Sequence, residues 1–465
     1  MSQKAFSFQK KIFVSSFLIL LCLVLLSGIL TRVLPMGRFE RRIVDDRVVI
    51  DFDSYRKIEA ERLPIYRWFS APIEVLFSSD GPRILALLIL LLIVGGSFNL
   101  LHESGALKYT IDFLVSRYTG RRRTLLLLTT FSFMVLGSAL GLFEEVVPFV
   151  PIFVNLSLQM GWDEFTGLGM SILAAGFGFA SATFNPFTVL LAQSLAGLPI
   201  FSGLWLRLIV FGVVYVILAL FLMSHVRKIE KSGGSFPISP NASKEGSKGP
   251  YRVFLISLTL MFSLVVLSFF LKPVQEYLVI LMVLIYFFMG ILCGLEAKFG
   301  LSKTFKIFLS GLLTILPSTI LILLAASVKH IVEQGMVLDT ILRGAVQLLE
   351  GRGQIGVAMT IYLFVLALNF FIPSASAKAF LLIPILTPLT QLSGLSRQTM
   401  VLAWTFGDGF SNMIFPTNPV LLISLSLASY SYVRWFKKTI LLQLLVFLIS
   451  CGFILIAVWT NYGPF

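Results

Sequence analysis

The chain has 465 residues, of which 57% are hydrophobic and only 13% charged, with a formal net charge of +14. So apolar a composition excludes an ordinary soluble domain. The lack of His-Glu-x-x-His, Gly-x-Ser-x-Gly, a paired-Asp protease spacing or a phosphate-binding loop argues against an enzyme or an ATP-driven pump. The basic excess sits in short loops beside apolar runs, where the positive-inside rule places it on the cytoplasmic side, and not on a nucleic-acid surface.

Uncharged runs near the roughly 20 residues of a membrane span occur at 12–31, 84–102, 124–143, 253–271, 277–295 and 307–328. Lys4, Lys10 and Lys11 put the N-terminus inside, and the first span (about 12–34) leads out. It is long for a signal-peptide core and lacks a small-residue cleavage site. Residues 35–81 form a polar external segment with strand-like Val48-Val49-Ile50, and a span at 83–102 returns. Residues 103–118 read as an amphipathic helix with Leu107, Ile111, Leu114 and Val115 on one face, held inside by Arg117 and Arg121-Arg122-Arg123.

Residues 124–160 are apolar but interrupted by Gly137, Gly141, Glu144, Glu145 and Pro148. At about 1.5 Å rise per residue they make two full spans only with a very tight turn. Two half-helices that enter, turn within the membrane and go back (about 122–160) account for the interruptions better. Residues 164–196 read as a helix broken at Thr183-Phe184-Asn185-Pro186, since Pro186 donates no backbone bond and disfavours helix at the preceding residue. A span at about 203–224 lands inside on Arg227, Lys228 and Lys231.

Residues 231–275 combine a Ser/Gly/Pro/Lys-rich cytoplasmic linker with a connecting span that has no partner in the first half. Spans at 277–295 and 307–328 follow, with Lys298, Lys303 and Lys306 inside, and then an external amphipathic helix at 333–351 carrying Glu333, Asp339 and Glu350. A second hairpin is expected at about 355–393 and a second broken helix at about 398–430, interrupted at Pro416-Thr417-Asn418-Pro419. Arg434, Lys437 and Lys438 stay inside, and the last span takes the C-terminus out.

The second half repeats the first. At a spacing of about 233, Pro151 returns as Pro384, Gly176 as Gly409, Phe177 as Phe410, Asn185 as Asn418 and Pro186 as Pro419. The basic clusters make 1–230 and 276–465 inverted copies. The expected fold is an all-α polytopic membrane protein of nine crossings, with an inverted repeat, two re-entrant hairpins and two broken transmembrane helices. Matched interruptions in two halves are the sequence pointer to a transporter site near the membrane midplane.

The positive N-terminal ends of half-helices attract carboxylates, and unwound carbonyls with Asn or Thr side chains coordinate small cations. Thr183, Asn185, Thr417 and Asn418 are placed for this, with Ser374, Ser376 and Asn412 beside them. Asn185, Asn418, Asp408 and Asn412 are the candidate ligands of a coupling cation. The competing reading is that these Asn and Thr only satisfy backbone groups freed by the prolines. Glu144 and Glu145 are carboxylates in an apolar segment, a costly placement that suggests a role with an amino group, a cation or a proton. Lys378 falls at the spacing of Glu145, so the two hairpins together offer an acid and a base, as a zwitterion requires. Asp408, between Gly407 and Gly409, reads equally as ligand or helix breaker. Glu103 and Glu333 read as helix caps, His102, His225 and His330 as solvated, and Cys22, Cys293 and Cys451 as packing residues.

Glu144-Glu145-Val146-Val147-Pro148-Phe149, the run Gly176 to Thr188, Gly197-Leu198-Pro199-Ile200-Phe201-Ser202-Gly203, Asn369-Phe370-Phe371-Ile372-Pro373-Ser374, Arg397-Gln398-Thr399 and Phe406-Gly407-Asp408-Gly409-Phe410 resemble the YfcC-like branch of the C4-dicarboxylate anaerobic carrier (DcuC-like) family. So does the external segment from Gly37 to Tyr55. The resemblance spans nearly the whole chain. It implies the ion transporter superfamily, a homodimer working by an elevator motion, and the bacterial inner membrane. Two departures stand out: Ala375 and Ala377 replace the Gly of relatives, and the Ser-Asn-Thr sodium pattern of other superfamily branches is absent. The coupling ion, sodium or proton, is therefore open, and no other cofactor is expected. The expected function is secondary active transport of small carboxylate-bearing metabolites, C4-dicarboxylates or amino acids. An arginine/ornithine-type antiporter is the alternative within that class, and a channel or transporter-like sensor the alternative outside it.

Overall fold

Long Leu-, Ile- and Val-rich stretches form helices in this chain, and Gly, Pro and Asn end them. The structure is a computed structural model describing residues 10–44, 47–110, 119–232, 248–268, 271, 273–274, 277–349 and 351–463. It is 80% helical, and the one β-hairpin among the described residues, strand β1 (Gly37–Val44) antiparallel to β2 (Arg47–Lys57), is an exception to the all-α expectation. The helices of the first half are α1 (Lys10–Val33), α2 (Tyr66–Glu74), α3 (Gly81–Glu103), α4 (Arg122–Leu140), α5 (Val150–Gln159), α6, α7 (Val189–Leu195) and α8 (Leu204–Lys231). Helix α6 runs through Glu164–Leu168, a π-helical turn at Gly169–Leu173 and Ala174–Ser181. Then come α9 (Lys248–Ser268), α10 (Leu278–Glu296), α11 (Gly300–Gln334), α12 (Leu338–Leu349), α13 (Gln354–Asn369), α14 (Ala375–Leu392), α15 (Arg397–Gly409), α16 (Pro419–Leu427) and α17 (Tyr432–Trp459).

Among the described residues, α1, α3, α4, α8, α11 and α17 are long and apolar enough to cross a membrane. Their outer faces stay oily: Leu441 is 75% exposed and Leu448 65%. Such a surface is one that lipid or another protein chain covers. The helix expected at 103–118 is described only as far as residue 110, so Ile111, Leu114, Val115 and Arg117 lie outside the described residues, as does the linker over 233–247.

The helices pack in two groups. In the first, α3 lies against both α10 and α11, and α1 packs on α11. Ser97 Oγ donates to the Tyr286 carbonyl at 2.6 Å and Asn99 Nδ2 to the Ile307 carbonyl at 2.8 Å, which pins this group with satisfied buried polar atoms. In the second, α4 packs on α6 and α13 packs on α15, the same relation in both halves. Helices α6 and α15 meet at small residues: a Cβ on Gly409 would lie 2.4 Å from Ala180 Cα, so only glycine permits this approach. Phe177 and Phe410, themselves partners at the repeat spacing, meet edge to face at 5.6 Å beside it. The halves also exchange contacts. The turn after α4 (Glu144–Phe149) packs on α16, and α14 packs on α7.

Several charges do other work than the sequence suggests. Asp339 accepts the Phe39 N–H at 3.0 Å and so holds the β-hairpin to α12. Glu333 pairs with Lys329 at 3.4 Å. His330 is buried, not solvated, with Nε2 3.6 Å from Glu74, because α2 folds back over α11. His225 is likewise held, its Nε2 2.9 Å from Asp163.

Asp163 ties three elements together. It caps α6 through Thr166 N–H at 2.9 Å and takes His225 of α8 and Lys438 of α17 (3.1 Å) on its other oxygen. Burial alone would raise its pKa, but the hydrogen bonds from His225 and Thr166 and the nearby charges of His225 and Lys438 outweigh it. The carboxyl therefore lies well below its usual 3.8. A depressed carboxylate adds stability above its unfolded pKa that is lost as pH falls through the folded one. Asp163→Asn is thus expected to cost about 2 kcal/mol at pH 7. In thermal melts the gap to wild type should close below about pH 4; a pH-independent gap would contradict this account.

Candidate substrate site

The breaks in the helices build the site. Helix α4 ends at Gly141, in the left-handed region at φ +68°, with its N–H bonded to Gly137 O at 3.1 Å and Leu142 N–H to Leu136 O at 3.2 Å. This C-terminal motif turns the chain sharply, so that Glu144 and Glu145 open the next short helix at the hairpin tip. A Cβ on Gly141 would lie 2.6 Å from Asn185 Oδ1. Gly141→Ala is therefore expected to cost at least about 1–2 kcal/mol from backbone strain alone and to slow transport by displacing Asn185. An unchanged melting midpoint in the variant would refute this.

Asn185 and Asn418 make the same local turn. Each Oδ1 accepts the N–H two residues on, Phe187 and Val420, at 2.9 Å. This is the backbone-satisfying role weighed above, and it is present in both breaks. It does not use up either side chain. Asn185 Nδ2 is buried without a hydrogen-bond partner among the described residues, as is Thr417 Oγ1. Thr183 is buried against Ser138, hydroxyl to hydroxyl at 3.0 Å.

A cavity of about 340 Å³ lies where these parts converge. Its lining includes Glu144 and Glu145 from the first hairpin tip, Ser374 and Ser376 from the second, and Asn412, Thr417 and Asn418 from the second break. The wall on the other helix group brings Asp80, at the start of α3, and Lys329 of α11, which form an ion pair with each other. Two helix N-termini open on it, that of α14 through Ser374, Ala375 and Ser376 and that of α16 through Asn418, Pro419 and Val420. Partial positive charge at such termini favours anions. Ser376 Oγ lies 3.5 Å from the Phe187 carbonyl, so the second tip touches the first break.

Four expected site residues do not line this cavity. Thr183 and Asn185 sit behind it, next to Ser138 and Gly141. Lys378 and Asp408 are both fully buried and paired with each other, Nζ to Oδ1 at 2.7 Å. This corrects the expectation that Lys378 stands at the tip as the base of the site: it lies one turn into α14 and points to α15. The base that reaches the cavity is Lys329. Asp80 and Lys329 are absent from the sequence-based site because charges at the ends of apolar runs look like interfacial anchors. Buried Arg207 of α8 was missed likewise; its Nη1 reaches the Ala182 carbonyl (3.5 Å) at the negative end of α6.

Oily outer faces around a charged, concave site where chain breaks meet fit a multi-pass membrane protein that handles a small molecule, and the family and relatives identify a transporter, not an enzyme. The chain belongs to the C4-dicarboxylate anaerobic carrier family, DcuC, whose pattern matches residues 13–459. It is similar to YfcC of Escherichia coli K12, named as a candidate basic amino acid antiporter, with 27% identity over 93% of this chain and 94% of that one. An uncharacterized protein of Haemophilus influenzae is 26% identical over 75% of this chain and 71% of its own length. The crystal structure of the YdaH transporter of Alcanivorax borkumensis aligns over 97% of this chain and 99% of that one, with 17% identity and a TM-score of 0.43.

Proposed function

We propose that this transporter is a secondary active carrier, ion-coupled or exchanging, for small carboxylate-bearing metabolites, and that amino acids suit it better than plain dicarboxylates. One observation carries the reading: a single cavity joins two helix N-termini, fit for a carboxylate, to the acids Glu144 and Glu145, fit for an ammonium. Its size, about 340 Å³, is in the range of small-molecule pockets. The charged side chains that line the cavity are three acids, Asp80, Glu144 and Glu145, and one base, Lys329, so the lining carries a surplus of negative charge. That surplus favours a basic amino acid, in agreement with the name given to YfcC.

Transport then follows from the two helix groups. Substrate binds between the tips and breaks of α4–α8 and α13–α17, and this group slides past α1, α3, α10 and α11 in an elevator motion. The inverted repeat of 1–230 and 276–465, with hairpins from opposite faces, supplies the two end states. Sodium or a proton drives the cycle, with Asn185, Asn412 and Asn418 as candidate cation ligands. The setting is a homodimer in the bacterial inner membrane, N-terminus inside and C-terminus outside.

The test is uptake into proteoliposomes of radiolabelled arginine and succinate under inward sodium or proton gradients, with and without internal arginine. Saturable arginine uptake or exchange is expected. Succinate uptake alone would reverse the preference and recast Glu144 and Glu145 as cation ligands. Non-saturable flux would indicate a channel, and ligand binding without flux a sensor.

A further inference from the structure

Lys378 and Asp408 are the charged pair that the transport reading leaves unused. Both are fully buried. The Lys378 ammonium is held by two oxygens, Asp408 Oδ1 at 2.7 Å and Asn369 Oδ1. Asn369 Nδ2 donates in turn to Ser411 Oγ at 2.8 Å and to Asn412 Oδ1 at 2.9 Å. Asn412 Oδ1 also accepts from Asn418 Nδ2 at 2.9 Å, and Asn418 caps α16 at the cavity wall. The ammonium is therefore the root of a polar chain that ends on the break in the second repeat.

A carboxylate and an amide oxygen buried around one compact positive charge are the ligands a small hard cation takes. Lysine supplies such a charge as an ammonium on a flexible stem. Stability alone does not call for such a pair, since apolar side chains of similar volume often replace a buried ion pair without loss. The other half lacks the arrangement: at the repeat spacing Leu136, Glu145 and Ala175 stand for Asn369, Lys378 and Asp408. We infer that Lys378 is a tethered cation, filling in the second repeat an oxygen site that a free metal cation would otherwise occupy. The site filled by Lys378 thus needs no ion from solution, and a cation that drives transport binds outside it. This rests on the carrier reading for its consequence, but the ion site is tested by binding and not by flux, so the two can fail separately.

The stem of Lys378 starts one turn from Ser374, which lines the cavity, with Lys378 N–H bonded to Ser374 O at 3.1 Å. Removing the stem opens a path from the cavity to Asp408. The experiment compares Lys378→Ala, Lys378→Met and Lys378→Ala/Asp408→Asn, purified in sodium chloride and in choline chloride. Yield of monodisperse protein and thermal midpoint are read for each. For Lys378→Ala, about 100 mM sodium should raise the midpoint by several degrees over choline and should raise the yield. Lys378→Met, whose side chain refills the path, and the double variant, which lacks the carboxylate, should show no difference between the salts. Equal yield and midpoint of Lys378→Ala in both salts, including equal failure to fold, would overturn the inference. So would a sodium-dependent midpoint in wild type that Asp408→Asn abolishes, because Asp408 would then already hold an ion beside Lys378.

Discussion

In choline chloride, Lys378→Met and Asp408→Asn should each lower stability by about 3–5 kcal/mol, while Lys378→Met/Asp408→Asn recovers most of that loss. The reason is asymmetry. Each single change strands one full charge at a site with no exposure, whereas the double change leaves a neutral pocket. A Met side chain lacks the ammonium but keeps much of the stem, so lost packing contributes little beside the stranded carboxylate. The coupling energy of the cycle is the quantity to measure, by thermal or denaturant melts in detergent. Additive losses would mean that the two charges do not see each other. The loss should reach the site as well: Asn369 Oδ1 would give up its donor, and Asn369 positions Asn412 at the cavity.

Glu144→Gln/Glu145→Gln is expected to reduce arginine kcat/KM by at least about 100-fold and to leave the melting midpoint within about 1 kcal/mol of wild type. Removing a partner from a charged ligand group costs about 3 kcal/mol or more when that group is desolvated, and about 2.7 kcal/mol is a hundredfold in rate. Both side chains are only partly buried in the free protein, so their neutral forms stress the fold little. The single variants tell which acid faces substrate. Wild-type kinetics in the double variant would remove the acids from the site. A collapse in stability with normal kinetics per folded molecule would make them structural.

Much of the helical layout is readable in the chain because its punctuation is local. Gly141 with Glu144 and Pro148 marks one turn, and Asn-Pro at 185–186 and 418–419 marks both breaks. The backbone reason, a missing donor or a positive φ, travels with the residue itself. The β-hairpin was visible only as the patch Val48-Val49-Ile50, since strand pairing depends on a partner that hydropathy does not reveal. Lys378 and Asp408 lie on different helices, and no periodicity in one sequence says that two distant charges will neutralise each other. Asp80 and Lys329 reach the cavity only because α3 and α11 pack against each other, a contact written in shape and not in spacing. His330 was misread for the same cause: its neighbour Glu74 arrives from α2, far away in the chain.

The reciprocal packing of the hairpins has a consequence for biosynthesis. The tip after α4 leans partly on α16, and α14 partly on α7, so each hairpin has part of its resting surface in the other half. When the ribosome has completed residue 230, the first hairpin still lacks the part of its wall that α16 supplies, which comes nearly two hundred residues later. A chain that stops before about 427 presents Glu144 and Glu145 without α16, and the translocation machinery or its proteases meet an unfinished polar crevice. Assembly is thereby gated on the last fifth of the message.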